Sequence, residues 1–315
     1  MKSISDDLKE VDKIIREQLN SEVALVRTIG DYIVNSGGKR IRPSMVIIIA
    51  LSLGYKGIKH HLLAAIIEFI HTATLLHDDV VDESELRRGL SSANSIFGNA
   101  ASVLVGDYLY SKSFEMMVST DSLRIMEILS KTTTIIAEGE VLQLMNIKDP
   151  DTSLESYMQI VQFKTAKLFE ASAHVGAIIA DASSDQENCA SIYGRHIGTS
   201  FQLIDDILDY SGDSETLGKN IGDDLREGKP TLPLIRAMAV CSKKQRAVLR
   251  EAVLSGDANL VEIVNIVNDT DALQYTSKLA ENEAREAQKS ILNYPCSKYK
   301  EILMELPFMF LNRIS

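Results

Sequence analysis

Apolar residues recur at helical spacing along nearly the whole of this 315-residue sequence. No segment shows the sustained alternation of apolar and polar residues that a half-buried strand would give. The pattern therefore predicts an all-α fold, and the absence of a linker rich in proline, glycine or serine predicts one domain over residues 1–315. The predicted helices cover residues 5–19, 22–35, 43–53, 59–80, 94–118, 121–146, 154–181, 186–210, 231–241, 243–254, 258–268, 271–291 and 298–312.

The same acidic pattern occurs twice, each time near the end of an apolar predicted helix, as Asp78-Asp79-Val80-Val81-Asp82 and Asp205-Asp206-Ile207-Leu208-Asp209. The first and last Asp of each copy are four positions apart, so their carboxylates project from one helix face. No Lys or Arg lies between His60 and Leu86 to compensate the first copy. A single copy could be a solvated helix end, but two copies in matching surroundings favour platforms for hard divalent cations such as Mg²⁺.

Basic, glycine-bearing loops accompany both acidic patterns. They are Gly37-Gly38-Lys39-Arg40-Ile41-Arg42-Pro43, Glu85-Leu86-Arg87-Arg88-Gly89, Leu217-Gly218-Lys219-Asn220 and Glu227-Gly228-Lys229-Pro230. Cations beside Mg²⁺ platforms suggest a polyanionic substrate such as a diphosphate, which Arg binds as a fork and Lys as a point charge. Six Asp and a diphosphate carry more negative charge than about three Mg²⁺ balance, and the remainder falls to the loop cations and Lys164.

Charge and composition exclude several other classes. The net charge of −11 argues against a nucleic-acid binder, which needs a basic surface. The N-terminus lacks the apolar core of a signal peptide. The longest apolar run, near 45–53, is shorter than the roughly 20 residues that cross a bilayer, so no transmembrane segment is expected. Three cysteines without metal-ligand spacing favour reduced thiols and a cytoplasmic protein.

With both Asp motifs and the Gly-Gly-Lys-Arg-Ile-Arg-Pro loop in place, the sequence resembles trans-polyprenyl diphosphate synthases of the long-chain type, from about residue 5 almost to the end. The resemblance implies a single-domain isoprenoid synthase helical bundle around a central active-site cavity. It also implies a homodimeric, Mg²⁺-dependent prenyltransferase that condenses isopentenyl diphosphate onto an allylic diphosphate such as farnesyl diphosphate. The expected product is all-trans and C40-like, for a quinone side chain.

The resemblance also implies roles for individual residues. The metal ligands are expected to be Asp78, Asp79, Asp82, Asp205, Asp206 and Asp209. The isopentenyl diphosphate site is expected at Lys39, Arg42, His71 and Arg88. The allylic diphosphate is expected to contact Arg87, Lys164, Thr165, Gln202, Lys219 and Lys229. Of these sets, Asp78, Asp79, Asp82, Arg87, Lys164, Asp205, Asp206 and Lys219 are the expected catalytic residues.

Product length is expected to depend on small side chains about one turn below Asp78. A bulky aromatic there closes the product tunnel in this family, so Ala73 and Thr74 indicate that a long chain passes. Met116 and Met117 are candidates for a floor farther down, although methionines on an apolar helix are more often ordinary core. Shorter and longer products therefore stay open.

Three other functions compete with this interpretation. His77-Asp78 resembles the paired ligands of an HD-type phosphohydrolase, but that class explains neither the second Asp motif nor the basic loop. A class I terpene cyclase would share the first motif, but it needs no isopentenyl diphosphate site. A catalytically silent subunit of a heteromeric synthase would usually have lost acidic motif residues, and here none is missing.

Overall fold

The computed structural model of the chain describes residues 2–35, 37–87, 89–211, 222–256 and 259–313. These residues are overwhelmingly helical, which confirms the predicted all-α class. The helices are Ser5–Gln18 (α1), Ala24–Asn35 (α2), Ile41–Ser52 (α3), Lys59–Val81 (α4), Ala93–Phe97 (α5), Asn99–Val118 (α6), Leu123–Asn146 (α7), Leu154–Ile160 (α8), Lys167–Ile179 (α9), Ser184–Ser211 (α10), Asp223–Arg226 (α11), Leu232–Val240 (α12), Lys243–Ser255 (α13), Leu260–Asp269 (α14), Ala272–Ser290 (α15) and Lys298–Leu311 (α16). A 3₁₀ turn covers Lys2–Ile4, and a π-helical segment, Val161–Ala166, lies between α8 and α9.

Most helix boundaries lie within two residues of the predicted ones, but the short helix α11 was not predicted and larger differences occur at three other places. The predicted helix 94–118 is divided at Gly98, whose φ of 85° and ψ of 157° no helix accommodates. The predicted helix 154–181 contains the π-helical segment, and its widened turn has no counterpart in the apolar periodicity. A two-stranded antiparallel hairpin, Leu86–Arg87 (β1) with Leu90–Ser91 (β2), lies where only a loop was expected.

One compact unit comprises Met1–Thr133, Leu168–Gly194 and Ser290–Met304. Its core is built on α4, which packs against α1, α3 and α6. Met45 to Ala50 on α3 are fully buried, and Leu63 to Ile70 on α4 are buried as well. Helices that are apolar on every side are buried on every side, which explains why these two stretches lie inside this unit.

The other compact unit comprises Thr134–Lys167, Arg195–Lys289 and Glu305–Ser315. A cluster of buried residues, including Leu234, Leu249 and Ile263, joins α12, α13 and α14. Ser242 begins α13 with a capping box, in which its hydroxyl accepts a hydrogen bond from the Gln245 backbone N–H at 3.3 Å. Gly256 ends the same helix in the left-handed region, with φ 69°.

Among the described residues, no helix combines the length and apolar character that a membrane span requires.

Candidate active site

The first Asp motif occupies the last turn of α4, where its carboxylates have different surroundings. Asp79 is buried, at 1% exposure, whereas Asp78 and Asp82 are half-buried. The β1–β2 hairpin that follows α4 places Arg87 beside Asp79, the buried Asp of the motif. Arg87 donates from Nε to Asp79 Oδ1 at 2.6 Å, and Asn94 Nδ2 donates to the Asp79 main-chain oxygen at 3.0 Å. The first motif is therefore bound to its own following loop.

Burial raises the pKa of Asp79 above its ordinary value, because a charged carboxylate loses hydration inside the protein. The hydrogen bond and charge of Arg87 act in the opposite direction, and the neighbouring Asp78 and Asp82 raise the pKa further. One Arg thus offsets part of the negative charge of this motif.

The basic loop before α3 separates its three cations into different roles. Gly37, with φ 80°, and Arg40, with φ 47°, turn the chain into the helix. Arg40 is directed inward, where it pairs with Glu68 and lies 3.4 Å from Asp12. Lys39 is exposed. Arg40 therefore fixes the loop and leaves Lys39 and Arg42 as candidate substrate ligands.

The structure brings two of the predicted isopentenyl diphosphate residues together. Arg42 Nη1 lies 3.2 Å from His71 Nε2, and its guanidinium carbon lies 4.2 Å above the centre of the Phe169 ring. This stacking holds the planar fork of Arg42 in one orientation beside the imidazole. Arg88, the fourth predicted member, lies outside the described residues.

The second Asp motif lies near the end of α10 and is organised around Asp206, which is 1% exposed. Tyr157 donates its hydroxyl hydrogen to Asp206 Oδ2, and Gln202 Nε2 donates to Oδ1 at 2.8 Å. Gln202 in turn accepts a hydrogen bond from Thr165 Oγ1 at 2.9 Å. The predicted allylic diphosphate residues Thr165 and Gln202 are thus joined to a predicted metal ligand in one chain of hydrogen bonds.

Burial raises the pKa of Asp206 to about 7, and the charges of Asp224 and Asp205 add to the shift. The hydrogen bonds from Tyr157 and Gln202 favour the charged form but do not cancel the effect of burial. Near neutral pH this carboxyl therefore requires a further cation if it is to stay ionised.

The other members of the second site already have partners of opposite charge or backbone contacts. Arg313 Nη1 donates to Asp205 at 2.9 Å, while Asp209 is fully buried and its main-chain oxygen accepts from Gly222 N at 2.9 Å. Lys164 Nζ donates to Glu140 at 2.5 Å. Lys229 Nζ lies 2.6 Å from a Glu227 oxygen. Lys219 lies outside the described residues.

The residues predicted to set product length lie on α4 and α6, which pack against each other. Ala73 and Met117 are fully buried, and Met116 is 3% exposed. Thr74 is half-buried, and its hydroxyl donates to the His71 main-chain oxygen at 2.9 Å. Ala73 is thus a small residue on the buried side of α4 and not on its exposed surface.

The residues fit a divalent cation by their donor chemistry. The two motifs supply carboxylate oxygens, the ligands that Mg²⁺ and Ca²⁺ prefer. Burial raises the pKa of Asp206, and the charges of Asp224 and Asp205 raise it further, so a bound cation would favour its ionised form. Within the described residues, neither motif holds three ligand atoms within 4.8 Å of one another, as expected for carboxylates that repel each other.

Sequence analysis missed several residues that contact this site. Tyr157 is 49 positions from Asp206, and Glu140 is 24 positions from Lys164. Arg313 reaches Asp205 from 108 positions away. Neither the spacing of these residues along the chain nor their residue types indicates that they are in contact. Only Asn94, which lies just after the basic loop that follows the first Asp motif, could have been suspected from its position in the sequence.

Comparison with known proteins identifies the family. The polyprenyl synthetase family profile matches residues 23–270, so the chain belongs to this family and is a prenyltransferase. It is 49% identical over 311 residues to octaprenyl diphosphate synthase of Escherichia coli K12, covering 98% of this chain and 96% of that protein. It is 44% identical over 313 residues to the all-trans-nonaprenyl-diphosphate synthase (geranyl-diphosphate specific) of Rhodobacter capsulatus, covering 99% of this chain and 96% of that protein.

Solved structures agree with this assignment. The fold matches a polyprenyl synthase from Caulobacter crescentus CB15, complexed with calcium and isoprenyl diphosphate, with a TM-score of 0.96 and 40% identity. The match covers 100% of this chain and 97% of that one. The isoprenoid synthase helical fold that the sequence resemblance implied is therefore confirmed.

Proposed function

We propose that this chain is an octaprenyl diphosphate synthase that adds isopentenyl diphosphate repeatedly to an allylic diphosphate such as farnesyl diphosphate. The observation that carries this proposal is the 49% identity to the E. coli octaprenyl enzyme over 98% of the chain. Both Asp motifs are complete in this sequence, which favours an active enzyme over a silent subunit. The 44% identity to a nonaprenyl synthase makes a C45 product the second candidate.

The proposed substrate and metal ligands follow the two sets of contacts described above. Lys39, Arg42 and His71 bind isopentenyl diphosphate, and Arg42 is held for this role by the Phe169 ring. The same role is proposed for Arg88. The allylic diphosphate is bound by Arg87, Lys164, Thr165, Gln202, Lys219 and Lys229. Both Asp motifs supply ligands to Mg²⁺, at about three ions per active site.

The proposed reaction begins when the C–O bond of the allylic diphosphate breaks and leaves a delocalised allylic cation. When bound, Mg²⁺ would offset the negative charge of the departing diphosphate. Arg87 and Lys164 place positive charge where the leaving group gains negative charge. Arg42 and His71 hold isopentenyl diphosphate so that its double bond can attack the cation, which makes positioning a large part of the rate advantage. The released diphosphate accepts the final proton.

The hydrogen bonds of the second motif give a physical reason for two of these assignments. Because Tyr157 and Gln202 both donate to Asp206, its oxygens are oriented before any ion binds. Thr165 is joined to the same network through Gln202. We propose that this network aligns the allylic diphosphate contacts with the metal ligands.

The remaining features of the proposal concern product length, domain organisation, assembly and location. Ala73 and Thr74 leave room for a long product, and Met116 and Met117 are candidate floor residues. The family profile includes residues of both compact units, which supports one polyprenyl synthase domain over residues 1–315. We also propose that the protein is a homodimer and that it is cytoplasmic, which is consistent with free Cys189, Cys241 and Cys296. Its product is proposed to serve quinone side-chain synthesis, such as that of ubiquinone.

The test is a product-length assay with purified protein, farnesyl diphosphate, radiolabelled isopentenyl diphosphate and Mg²⁺. After dephosphorylation, the products are separated by chain length. A dominant C40 alcohol that disappears in EDTA and in Asp78→Ala supports the proposal. A dominant C45 alcohol would favour the nonaprenyl alternative, and incorporation into short products alone would contradict the open-tunnel argument from Ala73.

A matched control separates loss of chemistry from loss of fold. Asp185 lies in the exposed first turn of α10, on the helix that carries the second motif, so Asp185→Ala should keep full activity. Asp206→Ala should lose it while retaining its helical circular dichroism. Equal activity in both variants would overturn the metal-ligand assignment of the second motif.

A further inference from the structure

A second group of metal-ligand side chains lies away from both Asp motifs, where α1 packs against the first turn of α4. Asp7 Oδ1 is 2.9 Å from His61 Nε2 and 3.2 Å from His60 Nε2. The two imidazole rings lie with their centres 4.0 Å apart. One carboxylate and two imidazole nitrogens thus converge on a single point, and all three ligand atoms lie within 4.8 Å of one another.

The spacing of these atoms agrees with that of ligands around one small metal ion. Zn–N and Zn–O bonds of about 2.0–2.1 Å in a tetrahedron place neighbouring ligand atoms about 3.3 Å apart. The distances from Asp7 Oδ1 to the two nitrogens, 2.9 and 3.2 Å, are slightly below that value. An ion at this position would therefore require the three ligand atoms to move slightly apart.

The surroundings favour the neutral imidazole of His60, and the neutral form is the one that binds metal. His60 is 3% exposed, and burial lowers its pKa more than Asp7 and the Gly57 backbone raise it. The charge of His61 lowers the pKa of His60 further. The Tyr55 ring, 5.4 Å from the His60 ring centre and nearly perpendicular to it, covers one side.

The site is nevertheless accessible to a solvent ion. The side chains of Asp7 and His61 are 25% and 13% exposed, so water can complete the coordination. Two imidazoles and one carboxylate form a mixed nitrogen and oxygen set, which suits Zn²⁺ and other first-row transition metals better than Mg²⁺. The donor set therefore differs in kind from the all-carboxylate motifs.

We propose that Asp7, His60 and His61 bind a transition-metal ion of the Zn²⁺ type and that this ion fastens the N-terminal helix α1 to α4. An ion that binds only the folded arrangement stabilises it by mass action. Because α4 carries the first Asp motif in its last turn, the ion stabilises the helix that presents that motif. The site has no part in prenyl transfer itself.

The experiment measures Zn²⁺ binding to the full-length protein by equilibrium dialysis in a large excess of Mg²⁺, which occupies the carboxylate motifs. Elemental analysis should give one tightly bound Zn²⁺ per chain. Co²⁺ in place of Zn²⁺ should give the visible absorption bands of a nitrogen-containing site. We expect His61→Gln and Asp7→Asn each to weaken Zn²⁺ binding by more than about tenfold.

The control is His196→Gln, which removes a partly exposed His that pairs with one carboxylate, Glu283, at 2.6 Å and has no second imidazole beside it. This variant should bind Zn²⁺ like the wild type. Hydrogen exchange of α1 should slow with Zn²⁺ in the wild type and in His196→Gln, but not in His61→Gln.

Two outcomes would overturn the proposal. One is the absence of a tight Zn²⁺ site in the wild-type protein, and the other is equal binding by all variants. If His61→Gln and Asp7→Asn retain Mg²⁺-dependent prenyl transfer, these variants are folded. This activity measurement also distinguishes an error in the proposed metal site from an error in the proposed enzymatic function.

Discussion

Two buried carboxylates at the candidate site, Asp79 and Asp206, have different neighbours that offset the free-energy cost of their burial. Asp79 receives a charged partner, Arg87, whereas Asp206 receives neutral donors from Tyr157 and Gln202. A full counter-charge offsets burial more effectively than two neutral hydrogen bonds. The pKa of Asp206 accordingly rises to about 7, and it is this motif that gains most from a bound cation.

The hydroxyl of Tyr157 should therefore matter to metal binding. Tyr157→Phe removes the donor to Asp206 Oδ2 and leaves the buried ring in place. Because a hydrogen bond to a charged group contributes about 1.5–3 kcal/mol, the Mg²⁺ concentration for half-maximal activity should rise about tenfold or more. The measurement is initial rate against Mg²⁺ concentration.

Tyr193→Phe is the matched control for Tyr157→Phe. Tyr193 is also fully buried, and its hydroxyl donates to the Leu303 main-chain oxygen at 2.7 Å. This variant should lose stability by about 1 kcal/mol without changing the Mg²⁺ dependence. If both variants show the same Mg²⁺ dependence, Tyr157 has only a structural role.

At the scale of elements, the π-helical segment Val161–Ala166 is the most informative departure from regular structure. It carries Lys164 and Thr165, and such bulges are frequent at functional sites. Its position depends on Gly139 of α7, since a Cβ there would lie 2.6 Å from the Lys164 backbone nitrogen. The close approach of α7 to the Lys164 backbone explains why this continuous helix has a glycine at position 139.

Gly139→Ala should displace this segment and lower activity. An overpacked contact of this kind costs about 1–3 kcal/mol of stability, and a shift of the reacting groups reduces the rate by about tenfold or more. Activity per folded protein and the thermal midpoint are measured together. Gly176→Ala, whose Cβ would lie 2.7 Å from the Val46 main-chain oxygen, should destabilise comparably and keep its specific activity. Equal loss of specific activity in both would contradict the prediction.

The helix α4 should also control product length. Ala73→Phe places an aromatic ring five residues before Asp78, in the core of α4. If this position lies along the product tunnel, the ring should shorten the main product well below C40 and retain the condensation of isopentenyl diphosphate. Chain-length analysis of the dephosphorylated products gives the answer.

A second substitution tests the same prediction if Ala73→Phe does not fold. Thr74→Phe changes the adjacent, half-buried position and is easier to accommodate. Unchanged C40 product from folded preparations of both variants would mean that this part of α4 does not limit chain length.

At the scale of the whole molecule, buried acids and buried histidines act on stability in opposite directions. The folded pKa of Asp206, about 7, exceeds the ordinary value of 3.8, so the folded protein binds a proton there that the unfolded chain has released. Stability from this group is therefore lost as pH rises through about 7. His60 and His174 have lowered pKa values because of burial, so they reduce stability only as pH falls below 6.5.

In EDTA, Asp206 should therefore make a contribution to the thermal midpoint of the wild-type protein that rises as pH falls from about 8 to about 6.5, because folded Asp206 takes up a proton over this range. The histidines of the unfolded chain also begin to take up protons as pH approaches 6.5, so this contribution is measured as the difference between the wild-type protein and Asp206→Asn. Differential scanning fluorimetry at several pH values measures the trend. Asp206→Asn should abolish it, since the amide does not titrate, and saturating Mg²⁺ should reduce it. Equal pH dependence of the midpoint in the wild-type protein and in Asp206→Asn would show that Asp206 is already ionised in the metal-free protein.

The sequence by itself determined the features that depend on neighbours along the chain. Helical periodicity predicted the all-α class and most helix bounds to within two residues, and the i, i+4 spacing of Asp78 and Asp82 predicted a ligand face. The family resemblance, carried by the Asp motifs and the basic loop, was confirmed. Where the periodicity is locally interrupted, at Gly98 and at Val161–Ala166, the predicted boundaries were wrong.

Only the tertiary structure decided which groups contact the carboxylates of the two Asp motifs. Tyr157 reaches Asp206, and Arg313 reaches Asp205, across separations of 49 and 108 residues. In the same way α1 brings Asp7 to His60 and His61. The physical reason is that burial, pKa and ligand geometry depend on distances through space, and helix packing sets those distances without leaving a pattern in the local sequence.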